Sequence, residues 1–206
     1  MRKAAFNEKA DNQVKLAHQE GLDDVKNSGV LSTAKQVGDL APDFSLKNDL
    51  GETVKLSDYY KDGKVILTWF RGGWCPYCNL TLSALQEELP NFEKQGASLI
   101  ALSPELPDES LSTSEKHELE FEVLSDLGNE VAESYGIVFK LTEEVSNLYN
   151  QSFALNEHNG DDSNELPLAA TYIINEEGKI IYAFIDADYR KRAEPSEITE
   201  FLKQNK

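Results

Sequence analysis

The sequence predicts an α/β domain: a central mixed sheet flanked by helices, preceded by an N-terminal helical extension. Three observations predict it. Residues 64–70 and 97–103 are continuous apolar runs, the pattern of strands buried on both faces of a parallel sheet. Stretches with helical periodicity alternate with these runs. The chain then closes on two more apolar runs joined by the turn Asn175-Glu176-Glu177-Gly178, followed by a last helix. With 206 residues there is enough chain for one domain with a sizeable core plus an extension. The boundary is expected between residues 1–36 and 37–206.

In order along the chain, residues 4–28 read as an amphipathic helix. Phe6, Ala10, Val14, Ala17, Gly21 and Val25 recur at spacings of three and four, and Ser28-Gly29 closes it. Such an arm either packs on its own domain or forms part of a homodimer contact. Asp49-Leu50-Gly51-Glu52 reads as a hairpin turn, with Thr53-Val54-Lys55-Leu56 as its second strand. Pro76 to about Phe92 is a helix whose apolar positions are Leu80, Leu82, Leu85 and Leu89, weakened at its end by Pro90. Ser112-Thr113-Ser114-Glu115 has the form of a capping box opening a further helix. Glu122-Val123-Leu124 is a short strand, residues 128–135 a helix, and residues 156–165 a polar, acidic loop. Residues 170–174 and 179–185 are the closing strands, and Pro195-Ser196-Glu197 starts the last helix, with Ile198, Phe201 and Leu202 apolar. This order is that of a thioredoxin-like fold with N-terminal additions.

The formal net charge of −17 argues against nucleic acid and anionic membranes as partners. No apolar run approaches the roughly 18 residues that span a bilayer. The first residues lack the apolar core of a secretory signal, so the expected location is the cytoplasm. In that compartment a C-x-x-C pair is more often catalytic or metal-binding than a permanent disulfide.

The chain has two cysteines, both in Trp69-Phe70-Arg71-Gly72-Gly73-Trp74-Cys75-Pro76-Tyr77-Cys78. The segment follows a strand, and Pro76 suits the first position of a helix. Cys75 would then lie at the positive end of the helix dipole, where a thiolate is stabilised. Arg71 can supply a cation, and Gly72-Gly73 allows close backbone approach. Cys75 is the expected attacking thiolate and Cys78, one turn deeper, the resolving thiol. Zinc is a weaker reading, because His18, His117 and His158 have no ligand spacing to one another and zinc takes four ligands; no metal and no organic cofactor are expected.

The chain resembles the peroxiredoxin-like branch of the alkyl hydroperoxide reductase/thiol-specific antioxidant (AhpC/TSA) family, within the thioredoxin-like superfamily. Residues 38–44, Gly-Asp-Leu-Ala-Pro-Asp-Phe, match its G-x-x-A-P-x-F opening, and residues 71–78 match its R-G-x-W-C-P-x-C. Leu124-Ser125-Asp126, Val131-Ala132 and Tyr135-Gly136-Ile137 match an S-D…V-A…Y-G-V stretch, and residues 170–180 match the penultimate hairpin. The resemblance implies a thiol peroxidase acting on hydrogen peroxide or alkyl hydroperoxides, recycled by a thioredoxin- or glutaredoxin-type reductant. It implies Cys75, Cys78 and Arg71 as catalytic residues and Thr68, Gly72, Gly73, Trp74, Pro76, Tyr77 and Ala169 as pocket residues. Two departures stand out. Three residues before Cys75, where the family carries a hydroxyl that positions the peroxide, this chain has Gly72; Thr68 is the candidate substitute. Ala169 stands where many relatives have a proline. Arg190 and Arg192 are candidates for a second arginine. The alternatives are a protein disulfide oxidoreductase without peroxidase activity, suggested by Cys-Pro-Tyr-Cys itself, and a non-enzymatic redox switch.

Overall fold

A computed structural model of the chain describes residues 11–48 and 51–206. The two apolar runs form the centre of the molecule. Strand β3 (Lys64–Trp69) pairs in parallel with β4 (Ala97–Ser103), which pairs in parallel with β5 (Glu122–Ser125). On the other side of β3, β8 (Thr171–Ile174) and β9 (Ile180–Phe184) add antiparallel, giving a five-stranded order β5-β4-β3-β8-β9. Two small antiparallel pairs flank this sheet: β1 (Ser45–Lys47) with β2 (Thr53–Lys55), and β6 (Val138–Lys140) with β7 (Glu165–Pro167). Asp49 and Leu50 of the expected hairpin turn lie outside the described residues.

Alternation along β3 divides the core in two. Val65, Leu67 and Trp69 face one layer with Tyr135 and Tyr172. Ile66 and Phe70 face the other, beneath α4 (Pro76–Lys94), whose Leu82, Leu85, Leu89 and Phe92 are buried there with both cysteines. The last helix, α9 (Pro195–Gln204), seals that layer with Ile198 and Leu202.

Helix α1 (Asn12–Asn27) is capped by the Asp11 carboxylate, which accepts from the Gln13 N–H at 2.8 Å. Its buried residues are Leu22 and Val25. It packs on α7 (Glu143–Phe153) of the same chain, so closely that a Cβ on Gly21 would meet the Val145 methyl at 2.7 Å. Phe6 and Ala10 of the expected stripe lie outside the described residues. A short helix α2 (Val30–Thr33) follows and is tied to the domain: the Lys35 N–H donates to Tyr135 O and the Thr33 hydroxyl to Gly136 O, both at 2.9 Å. Asp126 accepts from the Val131 and Ala132 N–H groups at 2.8 Å, capping α6 (Glu130–Ser134), which gives that motif aspartate a structural task.

Several expectations are corrected. Helix α5 runs from Pro107 to His117, so Ser112-Thr113-Ser114-Glu115 lies inside it and caps nothing; Pro107 at the first position and Asp108 and Glu109 in the first turn mark its start. Leu80 is 52% exposed and lies off the buried stripe of α4. Helix α4 continues past Pro90 to Lys94. The expected loop at 156–165 contains most of a short helix, α8 (Leu155–Asn159), and the start of β7. Residues 128–135 split between a 3-10 turn and α6. Helices α3 (Leu56–Asp62) and α7 are further elements that the sequence reading did not include.

Candidate active site

The site forms where β3 leaves the sheet. The Phe70 N–H still donates to Leu102 O at 2.9 Å; from Arg71 onward the backbone turns away. Gly72 adopts φ 146°, a region closed to most side chains, and a Cβ there would overlap the Trp74 indole and lie 2.7 Å from Glu105 Oε1. The turn is closed by the Cys75 N–H donating to Gly72 O at 3.1 Å and by the Asn79 amide donating to Gly73 O at 2.8 Å. Cys75 is therefore the N-cap of α4, Pro76 its first residue, and Cys78 sits one turn along. Both thiols are free, and both are 0% exposed.

Arg71 is buried beside them and spreads its donors over three groups. Its Nη2 donates to Cys75 Sγ at 3.1 Å, its Nη1 to the Tyr149 hydroxyl at 3.0 Å, and its backbone N–H to Cys78 Sγ at 3.4 Å. Among the described residues no carboxylate pairs with this guanidinium; aromatic faces enclose it instead. The Tyr189 ring lies 3.8 Å from its Cζ, with Trp74 at 5.2 Å and Tyr149 at 5.4 Å. Such faces stabilise a cation without neutralising it, which leaves the charge available to the sulfur.

The two thiols diverge for this reason. Cys75 is held well below the ordinary thiol value, first by the hydrogen bond from the Cys78 thiol and then by the Arg71 charge and its hydrogen bond, against the opposing effect of burial. The Cys78 amide makes no strict capping bond to the sulfur but adds a smaller pull in the same direction. Cys78 is pushed well above the ordinary value, by burial first and by the neighbouring Cys75 thiolate second. In this buried pair ionisation is thus favoured on Cys75, and the proton is favoured on Cys78.

The remaining residues singled out from the sequence fall in different places. Thr68 points to the cysteine layer, yet its hydroxyl is engaged across the sheet, 2.8 Å from the Thr171 hydroxyl and 3.2 Å from Ala170 O. Ala169 is buried two residues before β8. The Gly73 N–H donates to Glu105 Oε2 at 2.9 Å. Trp74 stacks on Phe153 at 5.4 Å, and the Tyr77 ring meets Tyr189 edge-on at 5.7 Å. Of the two candidate arginines, Arg190 is taken up by Asp188 through two 2.7 Å bonds, whereas Arg192 reaches Cys78 Sγ at 3.5 Å.

Three site residues escaped the sequence reading. Tyr149 comes from α7 and Tyr189 from the segment after β9. Glu105, 0% exposed, carries a carboxyl pushed up to about 7 by burial, against the Gly73 bond and His158, whose Nδ1 lies 3.7 Å away. A legible signal existed only for α7: Thr142, whose hydroxyl accepts from the Val145 N–H, precedes two glutamates and the apolar positions Val145, Leu148 and Tyr149.

A buried thiolate beside a second thiol, on a helix start above a mixed sheet, can cycle between dithiol and disulfide; fold and site together define a thiol-dependent oxidoreductase. The comparisons place it further. The model of the AhpC/TSA family matches residues 37–183, and the chain belongs to that family. Peroxiredoxin Bcp of Bacillus subtilis is 30% identical over 146 residues, spanning 71% of this chain and 82% of that protein. Peroxiredoxin Bcp of Escherichia coli is 29% identical over 102 residues, 50% of this chain and 65% of that one. Among solved structures, peroxidoxin BcpB of Mycobacterium tuberculosis superposes with a TM-score of 0.67 at 18% identity, covering 83% of this chain and 98% of that one. The chain is a thiol peroxidase of the peroxiredoxin type.

Proposed function

We propose that Cys75 is the peroxide-attacking residue, Cys78 the resolving residue, and Arg71 the cation that activates the first. The observation that carries this reading is the 3.1 Å bond from Arg71 Nη2 to Cys75 Sγ in a site sealed from water. The Cys75 thiolate attacks the terminal oxygen of hydrogen peroxide or an alkyl hydroperoxide. The O–O bond breaks, Cys75 becomes a sulfenic acid, and water or an alcohol leaves. Cys78, already adjacent, displaces water from the sulfenic acid to form the disulfide. An external dithiol of thioredoxin or glutaredoxin type reopens it. The aromatic wall of Trp74 and Tyr77, with Gly72 and Gly73 at the turn, bounds the reaction space. The expected setting is the cytoplasm, and the face of α1 turned away from α7 is available for a homodimer contact. No helix among the described residues is long and apolar enough to cross a membrane.

Stopped-flow oxidation of the reduced protein by hydrogen peroxide tests this assignment on the wild type, Cys75→Ser and Cys78→Ser. Expected is a fast second-order reaction lost in Cys75→Ser and retained in Cys78→Ser. A wild-type rate no faster than that of a free thiol, combined with rapid reduction of insulin, would refute it. Loss of the fast phase in Cys78→Ser alone would reverse the two roles.

A further inference from the structure

Cleavage of a peroxide O–O bond leaves an alkoxide or hydroxide that must be protonated as it departs. In the proposed active site Cys75 is the anion, the Cys78 thiol spends its proton on the Cys75 sulfur, and Arg71 keeps its own protons, so none of the three supplies one. Gly72 carries no hydroxyl, and the backbone there leaves no room for a side chain. The Thr68 hydroxyl is engaged with Ala170 O and Thr171.

We propose that Tyr149 is the proton donor to the departing oxygen, a reading that rests on the peroxidase assignment above. The Arg71 guanidinium places the Tyr149 hydroxyl and the Cys75 sulfur on its two terminal nitrogens, at 3.0 and 3.1 Å. A peroxide lying across that edge meets the attacking sulfur with one oxygen and the phenol with the other. Tyr149 accepts in its bond with Arg71, and this is the only hydrogen bond its hydroxyl makes among the described residues. Its own O–H is therefore unspent. The ring is held by Trp74 at 5.4 Å and Phe153 at 5.9 Å and is 3% exposed, so the hydroxyl is fixed before substrate arrives. Cys75 sulfur bonds the terminal OH oxygen, the O–O pair goes to the second oxygen, and that oxygen takes the Tyr149 proton to leave as alcohol or water. The resulting phenoxide faces Arg71 and regains a proton from solvent. A cavity of about 30 Å³ borders Arg71, Tyr149 and His18 but not Cys75, and has room for one water-sized molecule on that return path.

Tyr149→Phe keeps the ring and removes the hydroxyl. Three rates of the reduced protein are compared by stopped flow: oxidation by hydrogen peroxide, oxidation by peracetic acid, and alkylation by iodoacetamide across pH. Peracetic acid releases acetate, which needs no proton. The expected result for Tyr149→Phe is a fall on the order of tenfold to a hundredfold with hydrogen peroxide. The peracetic acid rate and the alkylation profile stay within about twofold, the margin allowed for a minor shift of packing. An unchanged hydrogen peroxide rate overturns the proposal, as does an equal fall in all three rates, which would make Tyr149 only a support for Arg71. A wild type that reacts with hydrogen peroxide no faster than a free thiol fails at the earlier step, before any variant is compared, and overturns both readings together.

Discussion

Replacing Glu105 with Gln isolates the energetic cost of a carboxyl buried under the Gly72-Gly73 turn. The carboxyl has no exposed surface and is raised from 4.5 to about 7, with burial as the largest cause. The sign follows from linkage. Between these two values the unfolded chain has already lost the proton while the folded protein keeps it. Stability is therefore fullest below about pH 4.5 and declines as pH rises to about 7, then levels off. A gap of about 2.5 pH units at about 1.4 kcal/mol each makes the whole decline about 3.5 kcal/mol. Glutamine keeps an oxygen for the Gly73 N–H and cannot ionise. The assay is urea unfolding of wild type and Glu105→Gln at several pH values from 5 to 8. The variant should gain on the wild type by about 2.5 kcal/mol across that range, since part of the loss has already occurred at pH 5. Parallel stability curves would refute the reasoning and show that this carboxylate is ionised in the fold at no cost.

Other outcomes follow from the same contacts. Arg71→Met removes a cation and a hydrogen bond from Cys75, so the pH midpoint of iodoacetamide alkylation should rise and the peroxide rate fall by at least about tenfold. Gly72→Ala forces a methyl toward Trp74 and Glu105 at φ 146°, and urea unfolding should show a loss of about 2 kcal/mol or more. The two sides of α4 should respond to very different extents in the same assay: Phe92→Ala, at 0% exposure, should cost about 3–5 kcal/mol, and Leu80→Ser, at 52%, less than about 0.5 kcal/mol.

What could be read in advance was what one stretch of chain carries by itself. Strands β3 and β4 show as apolar runs because both of their faces are covered. The Arg71–Cys78 stretch shows as a redox site because the turn, the cation and both sulfurs lie within eight residues. Residues that reach the site from elsewhere were invisible for a physical reason. Glu105 looks like any loop acid until packing removes its water, and Tyr149 acquires its place only when α7 folds against Arg71. Ser112-Thr113-Ser114-Glu115 misled in the opposite way. The local pattern was present, but Pro107 begins the helix five residues earlier. The Gly72 departure was visible as a missing hydroxyl, whereas the Trp74 ring that fills its place was not.

The seal over the two sulfurs bears on how the protein survives its own oxidant. Neither cysteine has exposed surface, so any reagent that meets Cys75 must wait for an opening of the turn or of the aromatic wall. Cys78 waits for nothing, since it is already inside. After the first oxidation the sulfenic acid therefore has one resident competitor and one excluded one. Under the proposed roles ring closure should outrun a second peroxide, so that geometry rather than a scavenger guards against the irreversible step to sulfinic acid.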